Sequence, residues 1–122
     1  MEGKPHERLL LWERATALVV RAYRVSATFP KSELFGLRLQ LRRATVSVPS
    51  DITEGLTRTT IPENFRFLNI ARASLSEIDT QIEISVLLQY LGPDEFQKLQ
   101  SPLSEVEKLL SGPMRKLRST NP

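Results

Sequence analysis

Residues 40–55 read Gln40-Leu41-Arg42-Arg43-Ala44-Thr45-Val46-Ser47-Val48-Pro49-Ser50-Asp51-Ile52-Thr53-Glu54-Gly55. Leu41, Ala44 and Val48 recur at the three- and four-residue spacing of a helix, yet a proline stands inside the run and a glycine at its end. Pro49 has no amide proton and its ring crowds the carbonyl of Thr45, which predicts a kink near Pro49. Ser47, Ser50 and Thr53 carry hydroxyls that can bond back to preceding carbonyls and ease the bend. Gly55 suits a helix stop, since it can take the left-handed conformation.

Upstream, the same helix is expected to begin near residue 33, with Ser32 as its cap. Leu34 and Leu37 extend its core line, and Phe35, Leu39, Val46 and Pro49 form a second apolar line with Arg42 among them. A helix that is apolar on two sides must be covered on two sides, either by two neighbours in its own bundle or by a second subunit.

The segment before it is expected to be a helix over about 7–28. Trp12, Ala15, Val19, Ala22 and Ser26 make its apolar face, widened by Leu11, Leu18 and Val25, and Arg14, Ala17, Arg21, Arg24 and Thr28 lie opposite. Phe29-Pro30 ends it, because the residue before proline is pushed out of the helical region.

Downstream, Thr60-Ile61-Pro62-Glu63 is a helix start, with Thr60 capping and Glu63 closing a capping box. The third helix is expected over 61–91, with a core seam of Ile61, Leu68, Ala71, Leu75, Ile78 and Ile82. Its second line, Ile70, Ala73, Ile84, Leu87 and Leu91, is interrupted by Glu77 and Thr80. Leu91-Gly92-Pro93 turns into a fourth helix over 94–117, whose core face is Phe96, Leu99, Leu103, Val106, Leu110 and Leu117. Pro102 and Pro113 fall inside it, so kinks or a break are expected at Ser101-Pro102 and Gly112-Pro113, and the tail from Ser119 is expected to fray. Strand signals are lacking. The pattern predicts a single all-α domain over 1–122, an antiparallel up-down-up-down four-helix bundle.

The chain has 122 residues, one histidine and no cysteine. Without cysteine there are no disulfides, thiolate zinc sites or cysteine nucleophiles, which fits a reducing cytosol. The polar start from Met1 to Arg8 resembles no secretory leader, and no run approaches the ~20 apolar residues of a membrane span. The expected location is cytoplasmic.

The net charge of +3 is unevenly placed. Residues 1–72 hold 12 basic against 7 acidic groups, residues 73–111 hold 2 against 7, and residues 112–122 add three positive charges. Such a dipole can meet an anionic polymer or let copies attract one another.

His6 lies in a polar tail without partners for catalysis or metal binding, and no glycine-rich phosphate loop or zinc signature is present. Glu77, Asp79 and Glu83 lie nearest a bundle interior, but the Glu-x-x-His pair of a di-iron bundle is missing. No cofactor is expected. Lys31, Arg38, Arg42, Arg43, Arg58, Arg66 and Arg72 are basic residues from just before the second helix into the third, and they can neutralise phosphates. Of these, Arg38, Arg42, Arg43, Arg58 and Arg66 are the nucleic-acid-contact candidates, and Phe35, Phe65 and Phe67 beside them suit core or interface better than base stacking. Phe35, Leu39, Arg42, Val46, Ile70, Glu77, Ile84 and Leu87 are the candidates for an oligomer interface. Arg42 and Glu77 are the expected ion pair across a subunit boundary.

These residues also resemble a known family. Leu11-Trp12, then Phe29-Pro30 with Glu33-Leu34-Phe35-Gly36-Leu37, look like the opening of the bacterial four helix bundle proteins, the S23 or 23S rRNA-intervening-sequence family. Gln40-Leu41-Arg42-Arg43-Ala44, Val46-Ser47-Val48-Pro49-Ser50, Ile52 and Glu54-Gly55 resemble its most characteristic block. Phe67-Leu68-Asn69-Ile70-Ala71, Ser74-Leu75, Glu77, Thr80-Gln81 and Glu83 resemble its third helix. The likeness covers about residues 9–92. Asp51 and Thr53 depart from it, standing where the family usually has Asn and Ala, and Pro102 and Pro113 are unusual.

The resemblance implies a left-handed four-helix bundle, closed rings of five subunits and no enzyme activity. It also implies relatives encoded in ribosomal RNA intervening sequences, and distant ones that bind nucleic acid and reverse transcriptase in diversity-generating retroelements. Together the residues and the resemblance lead to a non-enzymatic homo-oligomeric scaffold, a pentameric ring whose basic surface engages RNA or DNA. The alternative is a protein–protein adaptor with no nucleic-acid binding.

Overall fold

The computed structural model describes residues 5–120. Residues 1–4, the first half of the polar start in which no secretory leader is expected, and residues 121–122 of the tail lie outside the described residues. Four α-helices make up the fold, with no strand among the described residues: α1 (Pro5–Ser26), α2 (Leu37–Thr57), α3 (Ile61–Leu87) and α4 (Pro93–Thr120). A single 3₁₀ turn, Lys31–Glu33, precedes α2. Helix α1 packs on α2 and α4, and α3 packs on the same two, so every helix has two neighbours around one core. The α2–α3 contact is the most extensive.

α1 starts on a proline, whose missing N–H would have had no helical partner there, and carries Glu7 in its first turn and Arg24 in its last. Its buried line is Leu11, Ala15, Leu18, Ala22, Val25 and Ser26. The stripe is therefore rotated from the expected one, and Trp12 is 44% exposed. The sequence also made α1 apolar on one side only. Leu9, Trp12, Val20 and Tyr23 are all exposed, so α1 carries outward apolar groups as well.

α2 begins at Leu37, later than residue 33, because the chain first makes the 3₁₀ turn. Ser32 is exposed, and the cap comes from Glu33, whose Oε1 accepts from the Leu37 N–H at 3.0 Å. Gly36 makes room for this bond, since a Cβ there would meet that same oxygen at 2.5 Å. Leu34, expected in the core, is 45% exposed as a consequence. The buried face is Leu41, Ala44, Thr45, Val48, Pro49, Ile52 and Gly55, and the helix continues through Pro49. Ser47 Oγ donates to the Ala44 carbonyl at 2.7 Å and Ser50 Oγ to that of Val46 at 2.9 Å.

Gly55 does not stop α2, which runs on to Thr57. A Cβ on Gly55 would lie 2.8 Å from Leu68 Cδ2, 2.9 Å from Leu68 Cγ and 3.2 Å from the Asn64 carbonyl oxygen. Close approach to α3 is what the glycine serves.

α3 starts as the sequence predicts. Thr60 Oγ1 accepts from the Glu63 N–H at 3.4 Å, and Pro62 sits in the first turn. Leu68, Ala71, Leu75, Ile78 and Ile82 are buried along the expected seam, joined by Asn64, Gln81 and Ser85. The helix ends at Leu87, before the expected residue 91. Gln89 takes φ 63°, and the Tyr90 N–H reaches back to the Ser85 carbonyl at 2.8 Å, so a glutamine fills the left-handed position usually given to glycine.

α4 runs as one helix through Pro102 and Pro113. Its buried line is Leu99, Leu103, Val106, Leu110, Met114 and Leu117, close to the expected face. Phe29 and Tyr90 close one end, with ring centroids 5.4 Å apart.

Candidate assembly face and basic surface

The apolar candidates for an interface are largely on the surface. Phe35 is 83% exposed and Leu87 80%, and Val46, Ile70 and Ile84 are exposed as well, while Leu39 is half-buried. Leu34 and Leu88 add to the exposed set. The Tyr90 hydroxyl donates to Glu33 Oε2 at 2.8 Å and ties the segment before α2 to the segment after α3. Leu34 and Phe35 are thereby held at the same end of the fold as Leu87 and Leu88. Farther along, Ser47 Oγ and Ser74 Oγ are hydrogen-bonded at 2.8 Å, with Val46 beside the first and Ile70 one turn before the second.

Arg42 is engaged within the chain. Its Nε donates to Ser26 Oγ at 2.9 Å and its Nη2 to the Tyr23 carbonyl at 3.0 Å, and its guanidinium lies 4.5 Å from the Tyr23 ring centroid. The arginine thus closes the last turn of α1, where carbonyls have no helical partner. Burial, and then the nearby Arg38 charge, lower its pKa. Glu77 is exposed, and its Oε1 accepts from Gln81 Nε2 at 3.2 Å. Within the chain, therefore, Arg42 is held by α1, and Glu77 bonds on its own helix.

The basic candidates form two groups. Arg38 and Arg42 belong to the end where α1 finishes, with Arg43 exposed beside them. Arg38 is half-buried, and its buried Nε has no hydrogen-bond partner. Arg58 is sixteen residues beyond Arg42, roughly 24 Å along the helix axis at 1.5 Å per residue. Arg58 and Arg66 both lie over the Phe67 ring, at 4.8 and 4.9 Å from its centroid. Each also has a carboxylate partner, Glu54 for Arg58 and Glu63, at 3.5 Å, for Arg66.

A residue the sequence did not single out joins α2 to α3. Asn64 is buried, and its Nδ2 donates to the carbonyls of Gly55 at 2.6 Å and Arg58 at 2.9 Å. The signal available was an asparagine in the first turn of a helix that follows a short connection. It pointed to no particular acceptor.

Among the described residues no cluster of His, Cys, Asp and Glu could hold a metal ion, and no helix is long and apolar enough to cross a membrane.

The family model described as 23S rRNA-intervening sequence protein matches residues 7–112. The chain belongs to this family. A crystal structure of a protein with unknown function, from the S23 ribosomal protein family of Bacteroides thetaiotaomicron, is similar with a TM-score of 0.82 at 17% identity. The match covers 89% of this chain and 98% of that one, and at such identity it concerns the fold. No curated protein sequence matches the chain.

The block that resembles the family's most characteristic stretch has a physical role in this member. It supplies Ala44, Val48, Pro49, Ile52 and Gly55 to the core, and at Gly55 the absence of a Cβ permits a close approach to α3. Asp51 is half-buried. Its carboxyl is pushed above the usual range by burial and then by the Glu54 charge. Thr53 is exposed, and its carbonyl accepts from Thr57 Oγ1 at 2.8 Å.

Proposed function

We propose that this S23-family protein is a non-enzymatic, cytoplasmic, homo-oligomeric scaffold, a ring of five subunits that engages RNA or DNA through its basic surface. The observation that carries the assembly is the exposure of Phe35 and Leu87 at one end of the fold, with Leu34, Ile84 and Leu88 nearby. Apolar groups gathered in this way mark an interaction surface more often than chance exposure. A closed ring needs two different patches on each copy, and the exposed groups on α1, Leu9, Trp12, Val20 and Tyr23, provide a candidate for the second. Five as the subunit number rests on the resemblance to the family.

The scaffold itself is a left-handed, up-down-up-down antiparallel bundle. In support, late α1 bonds to early α2 through Ser26 and Arg42, late α2 meets early α3 through Gly55 and Asn64, and Arg118 near the end of α4 lies over Phe65 near the start of α3. α2 kinks near Pro49, where the Thr45 carbonyl has lost its usual amide partner.

The adaptor reading draws on a different observation. Arg58 and Arg66 are paired with Glu54 and Glu63, and Arg42 is bound to α1, so three of the five basic candidates already have partners. Native mass spectrometry tests the ring: a five-chain species supports it, and a discrete dimer or tetramer refutes it. Retention of RNA or DNA at low salt, lost steeply as salt rises, supports the nucleic-acid role, and no binding at low salt leaves the adaptor.

A further inference from the structure

Two basic segments far apart in sequence come together on α3 and α4. Arg72, Arg115 and Arg118 line one cleft of about 260 Å³, together with the buried side chains of Leu110 and Met114. Arg118 also reaches the start of α3, its guanidinium 5.9 Å from the Phe65 centroid. Arg72 donates to Asn69 Oδ1 at 2.6 Å, and none of the three arginines is in an ion pair among the described residues. This separates them from Arg58 and Arg66, which share the start of α3 but have carboxylate partners.

Three like charges around one cleft repel each other, and the arrangement is relieved by an anion. Guanidinium groups match phosphate oxygens two at a time, which an ammonium cannot do. One carboxylate, Glu107, lines the same cleft against the three arginines, which leaves the lining net positive. Arg118, one of the cleft residues, lies over Phe65, and its guanidinium offers a surface on which an unpaired base can stack.

We propose that the α3–α4 cleft formed by Arg72, Arg115 and Arg118 is the phosphate-contact site for a single-stranded nucleic acid. The proposal rests on the nucleic-acid half of the function read above and locates it on residues of α4 that were not among the candidates.

The test is fluorescence anisotropy of a labelled single-stranded RNA and its DNA counterpart with the full chain across a salt series. The double variant Arg115→Ala/Arg118→Ala is compared with Arg21→Ala/Arg24→Ala, which removes the same charge from the exposed side of α1. The first is expected to weaken binding at least tenfold and to flatten the salt slope by about 1.4, from about 0.7 per phosphate contact on a single strand. The second is expected to change affinity less than threefold. Arg115→Ala alone removes no ring contact and should flatten the slope by about 0.7, which guards against a folding artefact. Equal losses in both doubles, or an unchanged slope in the first, would overturn the cleft while leaving the nucleic-acid reading intact. Failure of the unaltered protein to bind either strand at low salt overturns both. Tighter binding of a duplex, or displacement of the strand by micromolar pyrophosphate, overturns the single strand as the ligand.

Discussion

Asn64 and Gly55 are joined by a 2.6 Å hydrogen bond from the Asn64 side-chain amide to the Gly55 carbonyl. The same amide reaches the Arg58 carbonyl, so one buried side chain of α3 satisfies an open carbonyl in the last turn of α2 and that of the residue capping it. The Gly55 side of this contact is equally tight, because α3 occupies the space a Cβ would need.

Replacing Asn64 by Ala leaves both carbonyls unpaired and opens a small cavity. The expected loss is about 2–3 kcal/mol in urea unfolding, with the slope unchanged. A loss below about 0.5 kcal/mol would mean that water takes over both bonds.

Gly55→Ala sets two effects against each other. Alanine gains about 1 kcal/mol of helix propensity, and overpacking against Leu68 and the Asn64 backbone costs about 1–3 kcal/mol. The net expectation is a destabilisation of about 1 kcal/mol, and a rise in stability would contradict the close approach.

Glu33 links the start of α2 to Tyr90, and two hydrogen bonds set its ionisation. The Leu37 N–H, and then the Tyr90 hydroxyl, hold its carboxyl below the usual range. A carboxyl with a lowered folded pKa contributes stability above its unfolded pKa of about 4.3 and loses it as pH falls through the lowered folded value. Glu33→Gln should therefore lower Tm at pH 7, with the difference from the unaltered protein shrinking in acid. The phenol is held above its ordinary range by the same bond. Thermal melts between pH 2.5 and 7 check the sign.

Asp51 has the opposite sign. Its raised carboxyl pKa makes the ionised form a liability, present above the raised folded pKa and gone below the unfolded value of about 3.9. Asp51→Asn should raise Tm at neutral pH and give no gain at pH 3. A gain that persists at pH 3 would point to a new hydrogen bond instead.

How much of this was legible in the sequence depended on how local each cause is. The cores of α3 and α4 and the Thr60 start follow from spacing and capping within a few residues, and they stand where the sequence put them. The start of α2 was missed because its cap is a glutamate held by Tyr90, 57 residues away. The end of α3 was missed because Gln89 takes a conformation that its own chemistry does not advertise. Trp12 was read as core although a rotation of one residue puts Leu11 there, and an amphipathic pattern alone does not fix that rotation. The outward placement of Phe35, Val46, Ile70, Ile84 and Leu87 was legible as a second apolar line, because the helical period sets those positions off from the core line. The division of the arginines into two groups was not legible, nor was the arrival of Arg115 and Arg118 beside Arg72. Both depend on which helices lie side by side.

In the proposed assembly, the exposed end formed around Phe35 and Leu87 is covered by another copy of the chain. Light scattering coupled to size exclusion at micromolar concentration tests it on the unaltered protein and on Phe35→Asp/Leu87→Asp. Both positions are too exposed for the substitution to unfold the bundle, which circular dichroism can verify. The expected result is about 70 kDa for the unaltered protein, five chains of 13.9 kDa, and a helical single chain for the variant. A 13.9 kDa species from the unaltered protein, or an assembly that survives both substitutions, would contradict the claim.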